Sequence, residues 1–481
     1  MIPGHGRGVT TPGPPLCGVS PPRLTAVGVR RTVRGQVLAL LLPLLAVLIA
    51  ALWWVLETGE GVAEKQRMRN VADAAALAGA VWQAKVLNFD AHMNRAIVAN
   101  EAVIAQSVSL RGWSAYMDDM LPKAYAITSA VPYLGTAMFY LQRGWSLIDQ
   151  ALQPALVMAE SGMSVVDHDL ALAQRTVHAA YPAALESVIR QVVERNDTRY
   201  EVSTGGQWML MRTALEWSNF TAFYGGSWRW RQRDVVQRSM DGFSHERNWS
   251  LNLLPGGLVG RLEKRAGTDL VDFDTWRAIE TLALHQRRYL IFGRMREVTP
   301  IGWAGIENGN RSFARGVHGG VYRTNPRTAR LAEQSMRSAA GYLGLPSMWD
   351  LSAIQRAVFS PPVIAVRVSL PESARRGAAG WFGFNSLTGL SSADPQDTDS
   401  PVIEKPLGEK LLGSRTASPM MVEAAATTSF VRPVPRADGA QEAPSLYNPY
   451  WRPRLTRLSV VDRLQLAALD GDPLWLAGVP R

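Results

Sequence analysis

The chain has 481 residues, with 47% hydrophobic and 19% charged residues and a formal net charge of +10. That is more than one compact domain needs, and the balance is that of a folded protein rather than a disordered one. The positive surplus is spread along the chain as scattered Arg, so no nucleic-acid-binding block is expected beyond the basic N-terminus, and the single cysteine, Cys17, excludes an intrachain disulfide and any zinc site built from two cysteines.

Residues 1–34 are rich in Gly and Pro and are expected to form a disordered tail. A membrane helix is predicted over 35–57. Val37 to Leu56 read VLALLLPLLAVLIAALWWVL, without a charge. About twenty such residues span roughly 30 Å, the thickness of a bilayer core. The anchor residues are Val37, Pro43 (a tolerable kink) and Trp53 and Trp54, whose indoles favour the headgroup layer. Arg23, Arg30, Arg31 and Arg34 precede the run, and Glu57, Glu60 and Glu64, with Lys65, follow it. The positive-inside rule therefore places the N-terminus in the cytoplasm and the bulk of the chain outside. A cleaved signal peptide is the competing reading, but the run ends in Trp-Trp-Val-Leu-Glu rather than in small residues.

Residues 58–195 are predicted helical: one long helix continues the span to about Ser109, and shorter ones follow, broken at Gly112, Pro122, Pro132, Gly162 and Pro182. The stretch YAITSAVPYLGTAMFYL, Tyr125 to Leu141, is short for a second span and reads as a buried helical segment. Residues 196–384 change character, with Gly pairs and aromatics, and a mixed α/β head is expected. Strands and loops are predicted from Thr198, helices near Asp274–Leu284 and Arg327–Leu343, and the clearest strand at PPVIAVRVSL, Pro361 to Leu370. Residues 385–444 read as a flexible low-complexity segment and 445–481 as a tail that docks back on the fold. The fold class is therefore α+β: a single N-terminal transmembrane helix, a helical stalk, and a mixed head.

No nucleophile elbow, phosphate loop, zinc-protease motif or dinucleotide fingerprint is present. Asp167-His168-Asp169 is the only dense set of metal-ligand types, but adjacent helical residues point about 100° apart, so surface capping is the expected role. Asp272 and Asp274 in VDFDTW read as a helix start. GGSWRWRQR suits a strand with Trp228 and Trp230 inward and Arg229 and Arg231 outward. Neither catalysis nor a cofactor nor a metal is expected.

After the anchor comes EKQRMRNVADAAALAGA, Glu64 to Ala80. Small residues let helices approach closely. Ala72, Ala75, Ala76 and Gly79 form a smooth packing surface that Asp73 interrupts, and this surface is the candidate assembly helix. It can face the protein's own later helices or another subunit. The stretch is similar to the E-K-x-x-x-Q-N-A-A-D-A-A-A-L-A-G-A pattern of TadE/TadG-like proteins of the tight-adherence (Tad, Flp-type) pilus apparatus. RGQ at Arg34–Gln36 and TG at Thr58–Gly59 match as well. NFDAHMNRAIVANEAVIAQSVSLRGWSAY, LALHQRRYLIFGRMRE and LYNPYW resemble the longer TadG-related branch. The resemblance implies a bacterial inner-membrane or envelope component with no enzymatic activity. Its expected partners are membrane lipid and other pilus-assembly or pilin-like proteins, with a homo-oligomer also allowed and no nucleic acid. Processed pilin-like members carry a Gly before the apolar run and a Glu five residues after the cut; here Gly35 is in place but Leu40 holds the fifth position, so the leader is expected to stay attached. A single-pass sensor or ligand-binding protein is the alternative, though the short N-terminal tail leaves no room for an output module.

Overall fold

A computed structural model describes residues 36–131, 133–253, 260–287, 294–310, 316–371, 374 and 419–471. The expected tail (1–34), Gly35 and residues 385–418 of the expected flexible segment lie outside the described residues. The chain divides after Gly61 into two units. The long first helix, α1 (Gln36–Thr128), contributes to both.

In the first unit the helix carries the apolar run with every described side chain from Leu40 to Leu56 exposed. It is the one helix among the described residues long and apolar enough to cross a membrane. A helix that is apolar all round offers no aqueous face.

In the second unit, the rest of α1 and α2 (Leu134–Asn196) form an antiparallel hairpin. Paired residues run in opposite directions, from Ser114 with Asp149, through Asn100 with Asp167, to Asp90 with His178. Gly112, Pro122, Gly162 and Pro182 all lie inside these helices and do not break them. Packing of one face over many turns outweighs the local loss at a single Gly or Pro. The chain breaks between Thr128 and Leu134, around the expected break at Pro132, which lies outside the described residues, and Tyr133 takes a φ of 65°. The stretch expected to be a buried helix, Tyr125 to Leu141, is therefore the tip of the hairpin. Most of its described apolar side chains are exposed, Ile127 at 80% and Tyr133 at 91%. Its hydrophobicity predicted burial, but a hairpin end has no neighbour to cover it.

The head follows in chain order: β1 (Glu201–Val202), α3 (Thr204–Phe220), β2 (Thr221–Tyr224), α4 (Trp230–Arg238), α5 (Gly242–His245), β3 (Trp249–Asn252), β4 (Arg261–Val271), β5 (Thr275–Arg287), β6 (Met295–Gly309), α6 (Val321–Thr324), α7 (Pro326–Gln334), β7 (Met336–Ala339), β8 (Met348–Leu351), α8 (Ala353–Ala357), β9 (Val363–Leu370), β10 (Met420–Phe430), β11 (Trp451–Thr456) and α9 (Val460–Leu469). They build a four-stranded antiparallel sheet, β1-β9-β10-β11, a five-stranded sheet, β3-β4-β5-β6-β7, and the pair β2-β8. Among the described residues, only β7 joins its neighbour in parallel.

The structure departs from several of the expected elements. Thr204 to Phe220, expected as strands, is helix α3, started by Ser203, whose hydroxyl accepts from the Gly206 amide. The helix expected near Asp274–Leu284 is strand β5, buried along both faces from Thr275 to Ala283. A strand covered on both sides loses its alternation and cannot be told from a buried helix by period. The second expected helix ends at Gln334, and β7 follows. Trp228 and Trp230 lie in a 3-10 turn and at the start of α4, not in a strand, and both are exposed. The neighbouring arginines point inward instead, Arg229 to Asp274 and Arg231 to the fully buried Asp350. Residues 420–430 of the expected flexible segment form β10, paired on both edges. Pro361 to Leu370 contains strand β9, as the sequence indicates.

One core joins the start of the hairpin to the four-stranded sheet: Ala72, Ala75, Ala76 and Ala80 of α1 pack with Leu185 and Ile189 of α2 and Ile364 and Val366 of β9. A second joins its far part, Ile97 to Tyr116, to the five-stranded sheet through Trp276, Ala278 and Ile306. A side chain at Gly79 would bring Cβ within 3.1 Å of Ile364 and Leu185 and 3.2 Å of Ile189. Gly79→Val should therefore lower the stability of the second unit by about 1–3 kcal/mol through overpacking. Urea unfolding of the variant checks this, and an unchanged midpoint would refute the close approach.

Candidate functional site: the apolar segment and the small-residue face

The candidate site residues lie along α1. Val37 falls within the helix, while its side chain lies outside the described residues. Pro43 is exposed and does not interrupt the helix. Trp53 and Trp54, at the C-terminal end of the apolar run, are both exposed. Just beyond them the Thr58 hydroxyl donates to the carbonyls of Trp54 (2.8 Å) and Val55 (3.0 Å), returning a polar group to the helix backbone.

The second unit begins after Gly61, and the helix soon turns sided. Ala72, Ala75 and Ala76 are fully buried and Gly79 is buried beside them. The closing neighbours belong to this chain: α2 and the four-stranded sheet. Asp73 is half-buried, and Ala74 and Leu77 stay exposed. The small residues thus share one face with the core, and a narrow outer strip of the same turns remains open. At the start of this face Glu64 receives the Arg199 guanidinium (2.8 Å) and the Tyr200 hydroxyl (2.9 Å), tying α1 to the segment after α2.

Further along, the hairpin interior is polar. His178 is stacked between Trp349 (3.8 Å) and Trp217 (4.6 Å), with Asp90 2.9 Å from one ring nitrogen and Thr221 2.9 Å from the other. Burial pushes the Asp90 carboxyl above its ordinary range, against the pull of His178. The triad has the residue types of acid–base–nucleophile chemistry. All three members are buried, however, and the Thr221 hydroxyl also lies 3.2 Å from the Trp217 carbonyl. Beside it Asn94 donates to the carbonyls of Trp349 and Leu446, both at 2.8 Å. The group fastens the hairpin to β2, β8 and the C-terminal segment.

Asp167, expected to cap a surface, is buried and accepts from Asn100 at 2.7 Å. His168 stays with its own helix, its Nδ1 2.9 Å from the Ser164 carbonyl. Asp272 and Asp274 belong to the β4–β5 hairpin turn rather than a helix start, and Asp272 takes a φ of 50°. Among the described residues no group of three or more His, Cys, Asp or Glu side chains is placed to hold a metal ion. The polar column escaped the sequence reading, although its signal was there: Glu160, Asp167, Gln174 and Tyr181 repeat every seven residues and all point inward.

The fold and this helix define a class: an α+β protein built on a long helical hairpin, with an N-terminal helix suited to membrane anchoring. Residues 35–83 match the family model described as putative Flp pilus-assembly TadE/G-like. The N-terminal segment is TadE/TadG-like, and the match spans the apolar run and the small-residue face together. No curated protein and no solved structure matches the chain.

Proposed function

We propose that the protein is a non-enzymatic, membrane-anchored component of a Tad/Flp-type pilus assembly or secretion apparatus, minor pilin-like or assembly-forming, that works through helix packing. The observation that carries this reading is the TadE/G-like match over residues 35–83. It runs from the exposed apolar turns into the turns where α1 is packed along one face. The inner membrane holds the chain by one pass, with the N-terminus cytoplasmic, as the basic residues before the run and the acidic ones after it favour. The bulk of the chain is periplasmic. Its partners are membrane lipid and other pilus proteins, reached in part through the open strip at Asp73, Ala74 and Leu77.

Deleting the gene in the native host and scoring surface pili and adhesion tests the proposal. Loss of both, restored by the full chain but not by a chain with Leu45, Leu48 and Leu52 all replaced by Arg, is the expected result. Wild-type piliation in the deletion strain would overturn it. N-terminal sequencing of the protein from that host tests the retained leader, which a start at Gln36 would refute.

A further inference from the structure

Helix α2 is sided the wrong way round for a surface helix in water. It buries Asp149, Glu160, Asp167 and Gln174 and exposes Leu147, Met158, Val165 and Leu172. Starting at Gly144 and stepping alternately four and three residues, every position as far as Leu172 is exposed. This is the spacing of a coiled-coil seam, held over four heptads and about 42 Å of helix. The middle of the seam is small (Ala151, Ala155, Gly162), and at Gly144 and Gly162 nothing lies within 4 Å of where a Cβ would stand. Between Arg143 and Asp169 no charged side chain is exposed; the three acids in that stretch all face inward.

We propose that this face pairs with the same face of a second copy of the chain, the two α2 helices running antiparallel about a two-fold axis between Leu156 and Val157. The pairing is self-complementary, as an isologous interface requires. It sets Leu141 of one copy against Leu172 of the other, Ile148 against Val165, and Ala151 against Gly162, with Ala155 and Met158 flanking the axis. The small layers sit in the middle, where they let the backbones approach, and the large ones close the ends. The exposed Arg143 falls beside the exposed Asp169 of the second copy at each end. A parallel pair in register would instead stack Asp169 on Asp169 in an apolar seam. The larger side chains of this face alone leave exposed on the order of 700 Å² per chain, close to what one partner of a standard interface buries. This inference does not depend on the pilus reading.

Cross-linking of the full chain in membranes tests it, in a Cys17→Ala background with a short bis-maleimide. Chains carrying Ile148→Cys and chains carrying Val165→Cys, expressed together, should give covalent dimers several-fold more abundant than either chain alone. Each variant cross-linking with itself as strongly would indicate a parallel pair and overturn the proposal. Absence of dimers from the mixed pair, as a lipid surface or a different partner helix on this face would produce, would overturn it too. Ala155 is exposed, so Ala155→Arg should abolish the cross-link while the chain keeps its far-ultraviolet circular dichroism spectrum. Cross-linking that survives this change would also refute the two-fold seam.

Discussion

Replacing Glu280 by Gln should lower the free energy of unfolding by about 3–5 kcal/mol, the loss that follows when one side of a buried ion network is removed. Glu280 lies on β5 beneath α1 and is fully buried. One carboxylate oxygen accepts from the Arg247 Nε at 2.6 Å, and the other accepts from the Lys264 ammonium. Arg247 is further held by the carbonyl of Phe243 (2.6 Å) and the hydroxyl of Thr268, which bonds Ser109 of α1 at 2.7 Å. Lys264 also sits 3.4 Å over the Tyr116 ring. Two cations therefore share one anion in a site that water does not reach. Burial already depresses the Lys264 ammonium below its ordinary range, and Glu280 opposes that shift. With Glu280 neutral, burial prevails. The unfolded chain then binds more protons than the folded one, and the variant should regain stability as pH rises. Urea unfolding at pH 7 and pH 9 reads both effects. A loss under about 1 kcal/mol at pH 7 would show that the network is solvated. Adding Lys264→Met should restore part of the loss, because it removes one unpaired cation.

Replacing Glu101 by Gln should raise stability at alkaline pH and flatten its pH dependence. Glu101 accepts from the Trp276 indole (2.8 Å) and the Tyr342 hydroxyl (3.0 Å) in the core between α1 and the five-stranded sheet. Burial, and then the charge of Asp167, push its carboxyl from 4.5 up to about 8. Burial likewise lifts Asp167 from 3.8 to about 7. An acid whose folded value is raised keeps its proton when the unfolded chain has lost it. Its contribution is fully present below the unfolded value and is lost as pH rises toward the folded one. Stability should therefore fall between about pH 5 and pH 8, by up to about 1.4 kcal/mol per pH unit from Glu101 where only the unfolded form is ionised. The Gln variant lacks that part of the slope, and its amide can still bond both partners. Denaturant unfolding at pH 6 and pH 8.5 measures the difference. Parallel slopes for wild type and variant would mean that Glu101 is ionised in the fold.

Both sites lie where the far part of α1 meets the five-stranded sheet, and neither was visible in the sequence. Glu280 lies in a stretch expected to be a helix, with the helix formers Arg277, Ala278, Leu282, Ala283 and Leu284 around it. Glu101 lies among Ala, Ile and Val with no partner nearby in sequence; Trp276 and Tyr342 are 175 and 241 residues away. Propensity and period describe a segment's own backbone. They carry nothing about which distant side chain arrives to share a proton or a charge. The same limit explains the tip of the hairpin. Tyr125 to Leu141 is apolar enough to be core, yet its position at the end of two long helices leaves it uncovered.

The sequence by itself determined the features that depend on local composition. These are the apolar run from Val37 to Leu56, the small-residue turn from Ala72 to Ala80, the α+β class, the strand within Pro361 to Leu370, and the TadE/TadG likeness carried by residues 35–83. Each is written in consecutive residues and needs no partner to be recognised. Only the tertiary structure decided what those features face. Ala72, Ala75, Ala76 and Gly79 pack against α2 and β9 of their own chain because an antiparallel hairpin returns Leu185 and Ile189 to that level. The same return turns the polar side of α2 inward, where Arg111, Asn100 and Asn94 wait for Glu160, Asp167 and Gln174, and leaves its apolar side open. Hydrophobicity alone predicts the opposite sidedness. It is reversed because α1 presents polar side chains on that side, and an unpaired buried polar group costs more than an exposed leucine.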